Sequence, residues 1–242
     1  SRVSSVDRSE RQMTTPYPLA YARDLGKRFY RHSLMRRPTK DRVLHDYRCV
    51  YIHVPKTGGN SVTVALNQLP REETHPLYPQ LTTKHAKAWQ VREAMGEEKW
   101  DQYFSFAFVR NPWDLMVSSY NWWLQKAIKW RKFDADVAAI GEMGDFNAFM
   151  LSHYGRTMIN RREGSLYDWI SQDGEVIVDY VGRLETMADD WKEICQRVGA
   201  DMELTHLNRT ERQDYRTYYT DETRQLVAER FHRIIKLYDY EF

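Results

Sequence analysis

The sequence predicts an α/β fold: a single domain whose central, mainly parallel sheet is flanked by helices. Three observations predict it. Cys49-Val-Tyr-Ile-His-Val54 is a short apolar, β-branched run that stops at Pro55 and passes through a glycine-containing turn into a helical stretch, Val62–Leu69. Phe104-Ser-Phe-Ala-Phe-Val109 repeats the arrangement, passing through Arg110 into a second helix. Strands this continuously apolar belong to sheets buried on both faces, and strand–turn–helix units join parallel strands. Amphipathic patterns near Thr186–Val198 and Asp221–Leu237 then supply helices to cover those faces.

In chain order, the opening is rich in Ser, Thr, Pro and Arg to about Pro38 and reads as an arm with some helix near Tyr21–Tyr30. Residues 1–48 carry 12 Lys and Arg against 5 Asp and Glu, a charge of +7 hidden inside a formal net charge of +2. The arm therefore reads either as a solvated, partly ordered segment or as a basic surface that attracts an acidic acceptor. Nucleic acid is not expected, because no recognition helix or aromatic-interleaved RNA motif accompanies the charge. We expect the arm over residues 1–48 and the folded domain over 49–242, since no Gly/Ser- or Pro-rich linker divides the remainder.

After the first strand and its turn, helix is expected to Leu69, before Pro70. A Pro- and Thr-rich loop, Pro70–Thr83, leads to a helix across Ala86–Trp100. Following the second strand, Asn111 caps a helix with Pro112 at its first position and Asp114 at its third, which suits the positive helix terminus. This helix is expected to run through Trp130, and another to cover Asp145–His153. Asp173-Gly174 between Tyr167–Ile170 and Val176–Tyr180 signals a hairpin.

The composition, 42% hydrophobic and 29% charged, is that of an ordinary globular protein rather than a disordered one. No apolar run approaches the roughly 18 to 20 residues that span a bilayer, so no membrane segment is predicted. Only Cys49 and Cys195 occur, without Cys or His neighbours at metal-ligand spacing, so no metal site is predicted. One disulfide between them is compatible with the sequence, and nothing requires it. The generous aromatic share, 14%, reads as packing, with some rings available to line an acceptor cleft.

Two segments carry chemistry. Pro55-Lys-Thr-Gly-Gly-Asn-Ser61 lies between strand and helix, where glycines let a backbone approach a ligand and the first N–H groups of the helix point at an anion. Lys56 adds a mobile charge, and Thr57, Asn60 and Ser61 add donors. Taken alone, the segment reads as a phosphate cradle or as a plain strand-to-helix connection. An ATP-type loop would place Lys after the glycines and a Ser/Thr on Mg²⁺. Here Lys precedes them and the second strand ends in Arg110, which argues against ATP. In the second segment, Arg110 offers a planar fork to a phosphate, and Ser118, eight residues on, offers a hydroxyl about two helical turns away. Its plainer reading is a cap partner and a small packing residue.

Together, Pro-Lys-Thr-Gly-Gly and Phe-Val-Arg-Asn-Pro-Trp-Asp resemble the two signatures that bind 3′-phosphoadenosine 5′-phosphosulfate (PAPS) in the sulfotransferase superfamily, in its family-2, carbohydrate-type branch and bacterial relatives. Thr-Lys-His85, Val-Gly-Arg-Leu-Glu185 and His-Leu-Asn-Arg-Thr210 are further matches, so the resemblance spans about residues 49–242. Asn60 departs from the Thr or Ser more usual at its position. The resemblance implies a P-loop-like sulfotransferase fold and sulfation of a hydroxyl-bearing carbohydrate or small molecule. Lys56, Thr57, Gly58, Gly59, Asn60 and Ser61 would face the phosphosulfate, and Arg110 and Ser118 the 3′-phosphate. It implies no metal requirement, with Lys56 neutralising the leaving oxygen. It also sets the compartment: cytoplasm for a bacterial chain, Golgi lumen for a eukaryotic fragment without its anchor. The sequence specifies no oligomeric state. Two readings of other classes stand beside it: an ATP-dependent kinase with a variant phosphate loop, and a non-catalytic binder of sulfated or phosphorylated polymers.

An acceptor hydroxyl must lose a proton, so a general base is expected among eight histidines and many carboxylates. His53 lies in the first strand and reads as core. His32, His45, His75, His153 and His232 have no motif context, and His206, before Asn-Arg-Thr, reads as surface loop, with a place bordering the cofactor as the alternative. His85 stands between the two signatures, where family-2 enzymes often keep their base, and is the expected catalytic partner of Lys56. Arg183 and Glu185 read as structural rather than catalytic, with a position facing the cofactor as the alternative for Arg183. Loops 70–84 and 131–165 are expected to shape acceptor choice, with Glu72, Glu73 and Asp134 as carboxylate alternatives to His85.

Overall fold

The computed structural model describes residues 43–70, 78–81, 83–125, 127–157, 164–204 and 213–242. The helix expected near Tyr21–Tyr30, His32, Glu72, Glu73, His75 and the segment His206–Thr210 lie outside them.

Strands β1 (Val43–Leu44), β2 (Cys49–Ile52), β3 (Phe104–Val109), β4 (Ser171–Gln172), β5 (Glu175–Val176) and β6 (Tyr180–Arg183) alternate with helices. The helices are α1 (Gly59–Leu66), α2 (Ala88–Met95), α3 (Glu97–Asp101), α4 (Pro112–Gln125), α5 (Asp134–Glu142), α6 (Phe146–Leu151), α7 (Tyr167–Ile170), α8 (Met187–Val198), α9 (Asp221–Arg230) and α10 (His232–Tyr238). The central sheet has the order β1-β2-β3-β6. Its pairings set β1 antiparallel to β2, and β2, β3 and β6 parallel to one another.

Alternation along the parallel strands explains the layers. Val50, Ile52, Ala107 and Val109 point into a core covered by Ala88 and Val91 of α2, Leu115 and Met116 of α4, and Val227 of α9. Cys49, Tyr51, Phe106 and Phe108 point the other way, onto Val62, Ala65 and Leu66 of α1 and Trp191 and Ile194 of α8. Both faces are therefore buried, as the unbroken apolar runs require. Each fully buried large side chain in these layers stabilises the fold by about 1.5–3 kcal/mol.

At the start of the strands, the Asp179 carboxylate accepts from the backbone N–H and hydroxyl of Ser105, both at 2.7 Å, and fixes the register of β3 and β6. At their far end, Asp190 of α8 accepts from Tyr180 Oη at 2.7 Å, the Arg183 N–H at 2.9 Å and Thr186 Oγ1 at 2.6 Å. One carboxylate thus sets the turn that leaves β6. The two cysteines form no disulfide.

Several boundaries differ from expectation. The helix expected over Ala86–Trp100 is two helices, because Gly96 takes φ 84°, which ends α2. Helix α4 stops at Gln125 instead of running through Trp130, and two 3₁₀ turns follow. Tyr167–Ile170 is helical; the hairpin is confined to β4 and β5 around Asp173-Gly174. The last helix breaks at Phe231, whose ring is almost fully buried.

Candidate active site

The carboxyl ends of β2, β3 and β6 bring three remote segments together: Pro55–Ser61, Arg110–Ser118 and Arg183–Thr186. Ligands of open α/β sheets bind at this edge.

The first segment turns sharply. Lys56, though not a glycine, takes φ 66°, and Gly58 takes φ 81° as the N-cap of α1. Thr57 is fully buried and its hydroxyl donates to the Val54 carbonyl at 3.0 Å, so the side chain holds the turn and its backbone N–H is the donor it can offer an anion. No side chain caps α1, leaving its N-terminus to be satisfied by other groups, an arrangement suited to an anion.

The two glycines answer to packing. A Cβ on Gly59 would sit 2.1 Å from Nε2 of His53, and one on Gly58 would sit 2.9 Å from Cδ1 of Leu184. The glycines therefore let the loop close onto the end of β2 on one side and onto the turn after β6 on the other. Asn60 is exposed, and its Oδ1 accepts from Lys84 Nζ at 3.3 Å, drawing the Thr83–His85 turn over the loop. Ser61 is buried at the first turn of the helix.

Arg110 joins the two signatures. Its Nη1 donates to the Lys56 carbonyl at 3.0 Å, while Nε and Nη2 lie 2.7 and 2.6 Å from Oδ2 of Asp114. The guanidinium thus spans from the helix-side carboxylate to the strained residue of the loop, and its side chain is only 11% exposed. Asp114, expected to favour the helix terminus, also fixes this fork. Ser118 is half-buried one turn beyond Asp114, on the same face of α4. Arg183 is in register with Val109 and so ends the strand beside Arg110.

Asn111 anchors the segment from behind. Its N–H donates to Glu185 Oε1 at 2.7 Å, and its Nδ2 to the Glu241 carbonyl at 2.9 Å. Tyr240 Oη donates to the other Glu185 oxygen at 3.1 Å. Burial, reinforced by the Glu185 charge, pushes the Tyr240 hydroxyl above its ordinary range, so it remains a proton donor at neutral pH. Glu185 therefore has the structural role expected of it, and the contacts make that role specific, since they tie the turn after β6 to the start of α4. Tyr240 and Glu241 had no sequence signal. Asp114 did, through its i,i+4 spacing from Arg110.

His85 is 6% exposed. Its Nδ1 lies 2.9 Å from the His53 carbonyl, which can only accept, so in the neutral ring Nδ1 carries the proton and Nε2 is the basic nitrogen. The His85 carbonyl accepts from Trp169 Nε1 at 3.1 Å, and the ring stands edge-on to His53 at 4.6 Å. His53 is buried, as expected for core, and packs against Gly59 on one side and the His85 ring on the other. The remaining described histidines and Asp134 are not among the contacts that build this edge; His45 bonds Tyr103 and Tyr78 near the opposite ends of the strands.

Comparison with known proteins follows the same lines. A protein of Archaeoglobus fulgidus named only as uncharacterized is 27% identical over 117 residues, 48% of this chain and 85% of its own length. The sequence model described as "Sulfotransferase family" matches residues 42–242. That match takes in both turns that Arg110 joins and all three strand ends, and the chain belongs to the sulfotransferase family.

Proposed function

We propose that the protein transfers the sulfuryl group of PAPS to the hydroxyl of a carbohydrate or small-molecule acceptor. The observation that carries this reading is the Arg110 bridge: one guanidinium joins a lysine-bearing turn at a helix N-terminus to a second polar helix start on the neighbouring strand. A donor with a phosphosulfate at one end and a 3′-phosphate at the other needs two anion sites at a fixed separation. A glycine-bearing turn without a helix cap, Lys56, Arg110 and Ser118 are chemically suited to hold them.

In this reading, Lys56 offsets charge that develops on the oxygen bridging sulfur to the 5′-phosphate as that bond breaks. Arg110 and Ser118 fix the 3′-phosphate and thereby the line of attack. His85 Nε2 takes the acceptor proton as the new oxygen–sulfur bond forms; its Nδ1–H bond to the His53 carbonyl holds the ring in the basic tautomer.

The test uses the whole chain. Adenosine 3′,5′-bisphosphate at about 100 times its Kd should stabilise the protein by about 2.7 kcal/mol, a rise in Tm of roughly 5–11 °C for a domain of this size. Mg·ATP should give less, and transfer from PAPS to screened acceptors, read by mass spectrometry of sulfated product, should survive EDTA. Equal stabilisation by Mg·ATP, or turnover that requires Mg²⁺, would favour a kinase and overturn the reading.

A further inference from the structure

Between α4 and α5 the chain makes two successive 3₁₀ turns, Ala127–Lys129 and Arg131–Phe133. Ala127 and Phe133 are buried, whereas all five residues between them are exposed. Trp130 N–H donates to the Ala127 carbonyl at 2.9 Å and Phe133 N–H to the Trp130 carbonyl at 2.8 Å. The Phe133 ring packs edge-on against Trp122 at 5.7 Å and Trp123 at 5.2 Å. This is a built projection, fastened at both feet.

Its tip has an unusual composition. Ile128 and Trp130 are 56% and 55% exposed, more than any other large hydrophobic residue among those described. Lys129, Arg131 and Lys132 alternate with them, and no carboxylate interrupts the run before Asp134. The Lys132 ammonium lies 5.6 Å from the Trp130 ring centre.

We propose that this projection docks the protein onto the surface of an anionic lipid membrane. Cations alone would suit any polyanion, and an apolar tip alone would suit a protein groove. Interleaved on one rigid knob, they match the boundary between headgroups and acyl chains, where indole rings settle and lysine stems reach up to phosphate. Ile128 decides between a bilayer and an acidic polysaccharide: a hydrated polyanion offers an aliphatic branch nothing, whereas the acyl boundary buries it. Charge complementarity supplies the attraction, about fivefold in partitioning for each cation near an anionic surface. The contact is peripheral, since among the described residues no helix is long and apolar enough to cross a membrane. Helix α4 runs 14 residues from Pro112 to Gln125, about 21 Å at 1.5 Å per residue, so the strand-end turn at Arg110 and the knob lie beyond opposite ends of it.

The test is co-sedimentation of the full chain with vesicles of phosphatidylcholine, with and without phosphatidylserine. Wild type should pellet with the anionic vesicles and much less with the neutral ones. Ile128→Ser/Trp130→Ser and Lys129→Glu/Arg131→Glu/Lys132→Glu should each keep the wild-type Tm and lower partitioning roughly tenfold or more. If charge reversal lowers Tm, Gln at the same three positions carries the test. Acyl-brominated phosphatidylcholine mixed with phosphatidylserine should quench tryptophan fluorescence in wild type and lose that extra quenching in Trp130→Phe. Three outcomes overturn the proposal: no partitioning to anionic vesicles, undiminished partitioning of both knob variants (which would assign binding to another surface, such as the basic residues 1–48), or binding of heparin without binding of vesicles.

Discussion

Replacing Gly59 with Ala adds one methyl group, and the structure places it 2.1, 2.3 and 2.8 Å from three ring atoms of His53. The ring has little room to yield: His53 is 5% exposed, its ring edge-on to His85 at 4.6 Å and tilted against Tyr51 at 5.5 Å. Overpacking of this kind costs about 1–3 kcal/mol, equivalent to a fall in Tm of roughly 2–12 °C for a domain of about 200 residues. Gly141 in α5 is the control, because nothing lies within 4 Å of a Cβ built there. Gly141→Ala should stabilise by about 0.5–1 kcal/mol through helix propensity alone. The decisive variant is the pair Gly59→Ala/His53→Ala, which removes the ring that the methyl group meets. The added cost of Gly59→Ala should then vanish, giving a coupling of about 1–3 kcal/mol in a double-mutant cycle measured by denaturant unfolding. Since His53 also supplies the carbonyl that orients His85, turnover in Gly59→Ala should fall further than the folded fraction does. An unchanged Tm, or an equal cost of Gly59→Ala with and without His53, would refute the packing argument and return the glycine to ligand approach.

Other perturbations separate the remaining roles. Lys56→Ala and Lys56→Gly should both lose about 10²-fold or more in kcat, yet Gly should be the more stable by roughly 1 kcal/mol because residue 56 sits at φ 66°; greater stability of the Ala variant in a thermal melt would deny that strain. Arg110→Lys keeps the charge but cannot span Asp114 and the Lys56 carbonyl together, so bisphosphate affinity by calorimetry should fall about tenfold or more. Retained affinity would show that charge suffices without the bridge. His85→Ala should leave bisphosphate binding nearly intact and lower kcat by about 10²- to 10⁴-fold; near wild-type turnover in the folded variant would remove His85 from catalysis and direct attention to a carboxylate.

What the sequence revealed follows from how local each signal is. The two central strands were legible because both of their faces are buried, which leaves an unbroken apolar run. The stretch Tyr167–Ile170 was not, because four residues are too few to separate strand from helix by periodicity, and Trp169 and Ile170 are buried in either case. Helix α4 was extended too far because the apolar pattern persists through the 3₁₀ turns, where Ala127 and Phe133 are still buried. At the site, the polar character of the turns was legible, but the use of the glycines was not. Gly58 and Gly59 are required by Leu184 and His53, and only the folded arrangement puts Leu184 beside the turn. Glu185 reaches Asn111 across 74 residues and Tyr240 across 55, separations at which one sequence carries no pairing signal.

The order of the sheet has a consequence for when the site comes into being. Strand β3 lies between partners supplied from far up and far down the chain, Cys49 opposite Phe104 and Phe106 opposite Tyr180. Contacts so distant in sequence form late, because the loop between them must be closed before either partner gains from pairing. Lys56, Arg110 and Glu185 each wait on a different closure, and Tyr240, which reaches Glu185 across 55 residues, on a further one. A chain still emerging during synthesis therefore contains the Pro55–Ser61 turn long before it can hold that turn in place. Under the proposed function, bisphosphate binding would report completion of the whole sheet, because the residues that would hold it meet only once the three parallel strands have paired.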